Sequence, residues 1–392
     1  MQVILMQEGH RPEGVSIQQR WLEMIDEAIL ADELGFDVYG QGEQHFARFV
    51  ACVSTPDINH AYLAARTSRI RFRPMSSNLL PFNHPIRVVE QLNALDVLSG
   101  GRAEIGVARS NNPYTLEGFG ISATDTKTYR DEALQVMGKA LAQESFEHHG
   151  SFYDIPERSI APKPIQKPHP PIHLSATSPA SHADAGRMGL GVMCGNTSAG
   201  WEYAQECVDV YKSAIQQAEP VAGYVNNSLG MLSTAVNCHH SRELAIEAAR
   251  PVAAKWMESI MGNYTNLAKQ SADYAYLGRI ELLRDRMYDL DYLIDCAPYI
   301  TIGTPEFLIE RARQIHSMGA DQWLLRLDGM GHEENRRAIE LIGREVLPEV
   351  HKLPPHGSHP ASAGNVGEPL GGAAVAQSAG VANVAQPAAE GR

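Results

Sequence analysis

Apolar residues along this chain follow two alternating rhythms. Short β-prone runs recur at Val3 to Gln7, Phe36 to Tyr39, Ile70 to Met75, Ala103 to Ala108, Ile172 to Leu174, Gly191 to Met193, Leu229 to Val236 and Gln322 to Leu327. Between them, apolar residues return three and four positions apart, the period of a helix with one buried face. Ser16 to Leu34 sets Trp21, Ile25, Ala28, Ile29 and Leu34 on one side, and Gly35 ends the pattern. After Pro85, a residue at home in the first helical position, Val88, Val89, Leu92, Leu95 and Leu98 repeat it until Gly100 and Gly101 stop it. Further helices are expected at 58–67, 129–142, 179–188, 200–217, 241–261, 304–317 and 333–347. The alternation predicts an α/β fold of about eight strand–helix pairs, a (β/α)8 TIM barrel. A doubly wound open sheet is the rival. It calls for a glycine-rich turn straight after the first strand, and Glu8-Gly-His-Arg-Pro-Glu-Gly is not that fingerprint.

Three stretches interrupt the rhythm. Ser110 to Thr126 reads as a long polar loop, and the proline-rich stretch Phe146 to Pro171 as an insertion carrying a hairpin. Asn263 to Tyr299, rich in tyrosine and charge, reads as an insertion of extra helices. From Leu353 the chain turns to Ala, Gly, Pro, Val and Ser with little charge, which cannot bury enough surface to fold alone. The expected organisation is therefore one barrel domain, 1–352, and a disordered tail, 353–392.

Composition narrows the partners. A net charge of −13 argues against nucleic acid, and no apolar stretch is long enough to span a bilayer. The amino terminus lacks a basic start and reads as a first strand rather than a signal peptide. Five scattered cysteines fit reduced thiols in a cytoplasm. Sixteen histidines, among them His148-His149 and His239-His240, form no zinc-type set of paired cysteines and histidines, so no metal site is expected. No G-x-S-x-G points to a hydrolase.

Parallel barrels bind ligands at the carboxyl ends of their strands. Three polar sets stand at such ends. Glu43, Gln44 and His45 join an acid to an imidazole that can hold or move a proton, although a histidine there can equally cap a loop. Ser76, Ser77 and Asn78 follow the third strand. Arg109 ends the next one, Arg130 opens a helix, and Thr177, Ser178 and Ser181 surround another helix start. Hydroxyls and free amides at a helix N-terminus, with arginine, make a phosphate cradle. Ser178 ahead of Pro179 also serves as a plain N-cap.

The run Leu80-Pro-x-x-His84-Pro85, then an acidic helix ending Leu95-Asp-x-Leu98-Ser-Gly-Gly-Arg102, then a strand ending in Arg109, resembles the bacterial luciferase-like flavin monooxygenases. The resemblance spans Val3 to Val350. It implies that Arg109, Arg130, Thr177, Ser178 and Ser181 hold the phosphate of FMN. Ser76, Ser77 and Asn78 would lie at the flavin ring, with a non-proline cis peptide at Ser76–Ser77, and Glu43 and His45 would manage protons. Gln44 occupies the place of the family's catalytic histidine. The resemblance further implies reduced FMN from a separate reductase, dioxygen as co-substrate, a small organic substrate and a cytoplasmic homodimer. A deazaflavin-dependent hydride-transfer enzyme and a non-catalytic flavin-binding protein are the alternatives.

Overall fold

The first strand, β1 (Gln2–Gln7), is apolar at its four central positions and buried on both faces, as a strand inside a parallel sheet must be. It lies between β2 (Val38–Gln41) on one side and the last strand on the other, with Ile4 opposite both Val38 and Leu324. The structure, a computed structural model, describes residues 1–46, 51–195 and 200–356. The next strands are β3 (Arg71–Pro74), β4 (Ser77–Asn78), β5 (Ile105–Ala108), the hairpin β6 (Phe146–His149) and β7 (Asp154–Arg158), β8 (Ile172–Ala176), β9 (Gly191–Cys194) and β10 (Leu229–Ser233). They are followed by β11 (Ala235–Cys238), β12 (Ile300–Gly303) and β13 (Gln322–Arg326). Nine parallel segments run in the order β3-β2-β1-β13-β10-β9-β8-β5-β4.

The two outer segments are one strand broken at Met75–Ser76. β3 pairs with β2, β4 pairs with β5, and Phe72 bridges to Ala103, so the sheet meets itself and closes as a barrel. The break needs Gly106 beside it, because a Cβ there would stand 2.5 Å from the Met75 carbonyl oxygen. Ile4, Met6, Val38, Met75, Met193 and Leu324 fill the barrel interior. Helices α1 (Ile17–Leu34), α2 (Pro56–Ala64) and α3 (Pro85–Ser99) begin the outer layer. Ser16 caps α1 by accepting from the Gln19 amide, and Gly35 ends it with φ 93°, a left-handed turn that suits glycine.

Three local readings change. The Ser110–Thr126 loop contains a short helix, α4 (Pro113–Gly118), started by Asn112 as N-cap with Pro113 behind it. The run Leu229 to Val236 is two strands: at Thr234 the chain leaves the barrel, because the Thr234 and Ala235 amides both donate to the Tyr299 carbonyl. β11 and β12 then form their own two-stranded parallel sheet. Between them run the helix Arg242–Gln270, a series of 3-10 turns (Ala272–Arg286) and the helix Leu290–Cys296. The 263–299 stretch is thus part of a longer excursion, with its own core around Met257, Leu293, Tyr299 and Ile302. Finally, Leu353 to His356 still touch the barrel. The N-terminal ammonium donates to the Leu353 carbonyl, and the His356 amide donates to Asp321 at 2.6 Å. Beyond them, residues 357–392 of the expected tail lie outside the described residues. No helix among the described residues is long and apolar enough to cross a membrane.

Candidate active site

A cavity of about 510 Å³ opens at the carboxyl ends of the barrel strands, within the ~300–1,000 Å³ typical of cofactor sites. Its floor is the tops of the interior side chains Met6, Met75, Met193, Leu232 and Leu324. Helix Arg242–Gln270 and the 3-10 turns of the excursion form one wall, contributing Trp256, Tyr264, Tyr274 and Tyr276.

One end of the cavity is basic and hydroxyl-lined. Arg109, Arg130, Thr177 and Ser181 all reach it. Arg109 lies over the Tyr274 ring at 4.3 Å and donates to the Asp273 carbonyl at 3.0 Å. Arg130 is buried and paired with Asp131, with Asp184 at 3.6 Å. The Ser181 hydroxyl accepts from the amides of Thr177 (3.1 Å) and Ser178 (3.0 Å), and Thr177 shares a hydrogen bond with the Tyr276 hydroxyl. Ser178 caps the helix Pro179–Arg187 and stands behind the cavity wall. In this segment Ser178 is thus the N-cap, and Thr177 and Ser181 are the residues that face the cavity. The backbone at this end is strained: Ser110, directly after Arg109, has φ 64°.

At the centre, Ser76 and Asn78 line the cavity and Ser77 lies buried behind them. The Ser76–Ser77 peptide is trans; among the described residues the cis bonds are Ala161–Pro162 and Lys167–Pro168. The broken strand is pinned there by the Ser175 hydroxyl, which donates to the Met75 carbonyl at 3.3 Å.

The Glu43–His45 loop divides. Glu43 lines the cavity and is buried, accepting from Asn83 at 2.8 and 3.0 Å, from the Asn78 amide at 3.3 Å and from His45 at 2.7 Å. The His45 ring stands outside the wall, edge-on to Phe82 at 5.2 Å and Phe119 at 5.1 Å. His45 therefore reaches the cavity only through Glu43. Gln44 lines it and donates to Glu8 at 2.9 Å.

Sequence reasoning passed over the neighbouring strand ends. Glu8 and His10, from the end of β1, both line the cavity, and so does Arg326 from the end of β13. Arg326 pairs with Glu8 at 2.8 Å and lies under the Trp256 ring at 5.4 Å. Asp328 accepts from three successive amides, Glu8 (2.8 Å), Gly9 (2.8 Å) and His10 (3.0 Å). Behind it, Arg20 donates to Asp328 at 2.9 Å and holds Glu27 with two bonds of 2.8 and 2.9 Å. Burial alone would raise the Asp328 pKa, but Arg20, His10 and the amides outweigh it and hold the carboxyl well below the usual range. The rule that singled out Glu43, polar residues just past a strand, applies equally to Glu8 and His10. Arg20, Glu27 and Asp328 carry no such signal, because they meet from two places far apart in sequence, α1 and the segment after β13.

Residues 1–322 match the model of a family described as luciferase-like monooxygenase. The oxygenase component of the flavin-dependent trigonelline monooxygenase of Acinetobacter baylyi is 27% identical over 352 residues, covering 86% of this chain and 92% of that one. The FMNH2-dependent dimethylsulfone monooxygenase of Pseudomonas putida is 25% identical over 321 residues, 80% of this chain and 81% of that one. Monooxygenase RslO1 from Streptomyces bottropensis shares the fold, with a TM-score of 0.70 at 24% identity over 89% of this chain and 99% of that one.

Proposed function

The chain belongs to the luciferase-like monooxygenase family, and on that footing we propose that it is the oxygenase of a two-component, FMN-dependent monooxygenase acting on a small organic molecule. The same reading takes dioxygen as co-substrate, the reductase as a separate protein, and the chain as a cytoplasmic homodimer. The observation that carries it is the division of the cavity: a basic, hydroxyl-lined end joined to an apolar floor edged with amides.

The residues fit FMN. Arg109 and Arg130 are the cations for its phosphate, and the hydroxyls of Thr177 and Ser181 add donors beside them. Asn78 and Ser76 offer polar partners to a flat ring laid on Met75 and Met193. Reduced FMN, when bound, supplies the electrons that activate dioxygen. The chain's part is to bind, orient and exclude water, and the apolar floor and the tyrosine wall serve that last purpose. Glu43 is the acidic group of its loop that meets the cavity, and His45 fixes that carboxylate from behind.

Mixing the protein with reduced FMN in air-saturated buffer tests the proposal. A flavin absorbance transient that outlasts the reoxidation of free reduced FMN is expected. Turnover with a reduced deazaflavin alone would identify a hydride-transfer enzyme instead. Binding with unchanged reoxidation would identify a flavin-binding protein.

A further inference from the structure

We propose that His10 is a catalytic acid–base residue of this site, presented to the cavity by the first barrel strand; the proposal rests on the monooxygenase reading above. His10 is the one imidazole on the cavity wall among the described residues. Its side chain keeps 12% of its surface exposed, enough to meet a ligand.

The ring is held from one side only. Its Nδ1 lies 3.4 Å from Asp328 Oδ2, the oxygen that also collects the three amides of residues 8–10. An anion at that nitrogen assigns the proton to Nδ1. Nε2 has no protein partner among the described residues and is the nitrogen left for the cavity. The arrangement is that of an oriented base: an imidazole directed by a buried carboxylate, itself fixed by a further cation, Arg20. A separation of 3.4 Å is long for a hydrogen bond, and such contacts tighten when a site is filled.

The surrounding charges leave His10 as the group free to move a proton. Glu8, 3.9 Å away, is paired with Arg326 and bonded to Gln44. Glu43 is saturated by Asn78, Asn83 and His45. The backbone is built for this presentation. Gly9 has φ 81°, and a Cβ there would stand 2.7 Å from Cys52 Sγ and 3.2 Å from the Cys52 amide. Only glycine lets the chain turn so that three amides converge on one oxygen.

The step required is a proton transfer without redox change. Monooxygenation sends one oxygen atom of dioxygen into the product and releases the other as water, so the departing oxygen must gain a proton. Nε2 of the imidazolium gives that proton and regains one from solvent. Release of hydrogen peroxide without substrate makes the same demand, so the assignment can be tested before the substrate is known.

His10→Asn and, as a control at an exposed imidazole outside the cavity, His149→Asn are compared with the unsubstituted protein. Asparagine at position 10 keeps a donor toward Asp328 and removes Nε2. Reduced FMN in air is the probe, and flavin reoxidation with peroxide release is followed from pH 5 to 9. The expected result is a titration step in the unsubstituted protein that His10→Asn abolishes, slowing release on the order of 10²-fold. His149→Asn keeps the step. In the flavin-free protein, 15N NMR of the imidazoles, assigned by loss of the His10 signals in His10→Asn, is expected to show that the neutral form of His10 carries its proton on Nδ1. An unchanged profile in His10→Asn, loss of the step in His149→Asn instead, or a proton on Nε2 overturns the assignment and leaves the FMN reading standing. If the unsubstituted protein leaves the reoxidation of free FMN unaltered, the FMN reading fails and this inference with it.

Discussion

Two Glu-x-His segments end neighbouring strands of this barrel, Glu8-Gly9-His10 after β1 and Glu43-Gln44-His45 after β2, and they turn their histidines to opposite sides of the cavity wall. In the first, the histidine lines the cavity with its Nδ1 toward Asp328. In the second, the acid lines the cavity and the histidine packs against Phe82 and Phe119. The middle residue and a distant partner make the difference. Gly9 takes a left-handed φ of 81°, so the amides of residues 8–10 gather on Asp328. The Gln44 amide instead donates to the Val53 carbonyl at 2.8 Å, and the chain continues past it. Equal spacing in sequence thus gives unequal chemistry, because side-chain direction is set by what each backbone amide finds.

The comparison breaks most visibly at Asp328. Asp328→Ala leaves Arg20 buried with one partner fewer and three amides without their acceptor, a loss of about 3–5 kcal/mol. A shift of the urea midpoint measures it. The pH dependence has a definite sign. The folded Asp328 pKa lies below its unfolded value, so its contribution is complete above the ordinary carboxylate range and fades as pH falls through and below it. Asp328→Asn should therefore flatten the stability profile on the acid side. A variant whose acid-side profile matched the unsubstituted protein would show that Asp328 is not held as an anion.

Gly9→Ala comes next. It forces a side chain into a left-handed conformation against Cys52 and should cost about 1–3 kcal/mol, read as a lowered Tm. An unaltered Tm would mean that the turn has room to relax. His45→Asn should cost least, about 1 kcal/mol, since Asn78 and Asn83 still hold Glu43 when the 2.7 Å bond is lost. FMN affinity should stay within a few fold. A large loss of affinity would show that His45 governs the cavity more directly than its position outside the wall allows.

Much of the frame was legible from periodicity. The barrel strands, the glycine stops at Gly35 and Gly100 and the capped start at Ser178 follow from local rules that need no partner. The same rules placed Glu43, Ser76, Asn78, Arg109, Arg130, Thr177 and Ser181 around one cavity. What stayed hidden depends on contacts far apart in sequence. The chain leaves the barrel at Thr234 because of a carbonyl on Tyr299, and no feature of Leu229 to Val236 reports that. Arg20 sits in an amphipathic helix like any surface arginine, yet it is buried between Glu27 and Asp328. Which tyrosines of the 263–299 stretch face the cavity, Tyr264, Tyr274 and Tyr276, was not readable from its composition. The His45 ring direction was equally unreadable, since it depends on Phe82 and Phe119 from other segments.

The central claim is that this cavity grips a flavin by its phosphate at the Arg109 end. Affinities of FMN and riboflavin, measured by flavin fluorescence on the unsubstituted protein and on Arg109→Ala, test it most directly. The account predicts that FMN binds the unsubstituted protein more tightly than riboflavin. Arg109→Ala should weaken FMN by about 1.5–3 kcal/mol, the range for a charge-assisted hydrogen bond, and leave riboflavin nearly unchanged. Equal weakening of both ligands, or no preference for FMN at the start, would contradict it.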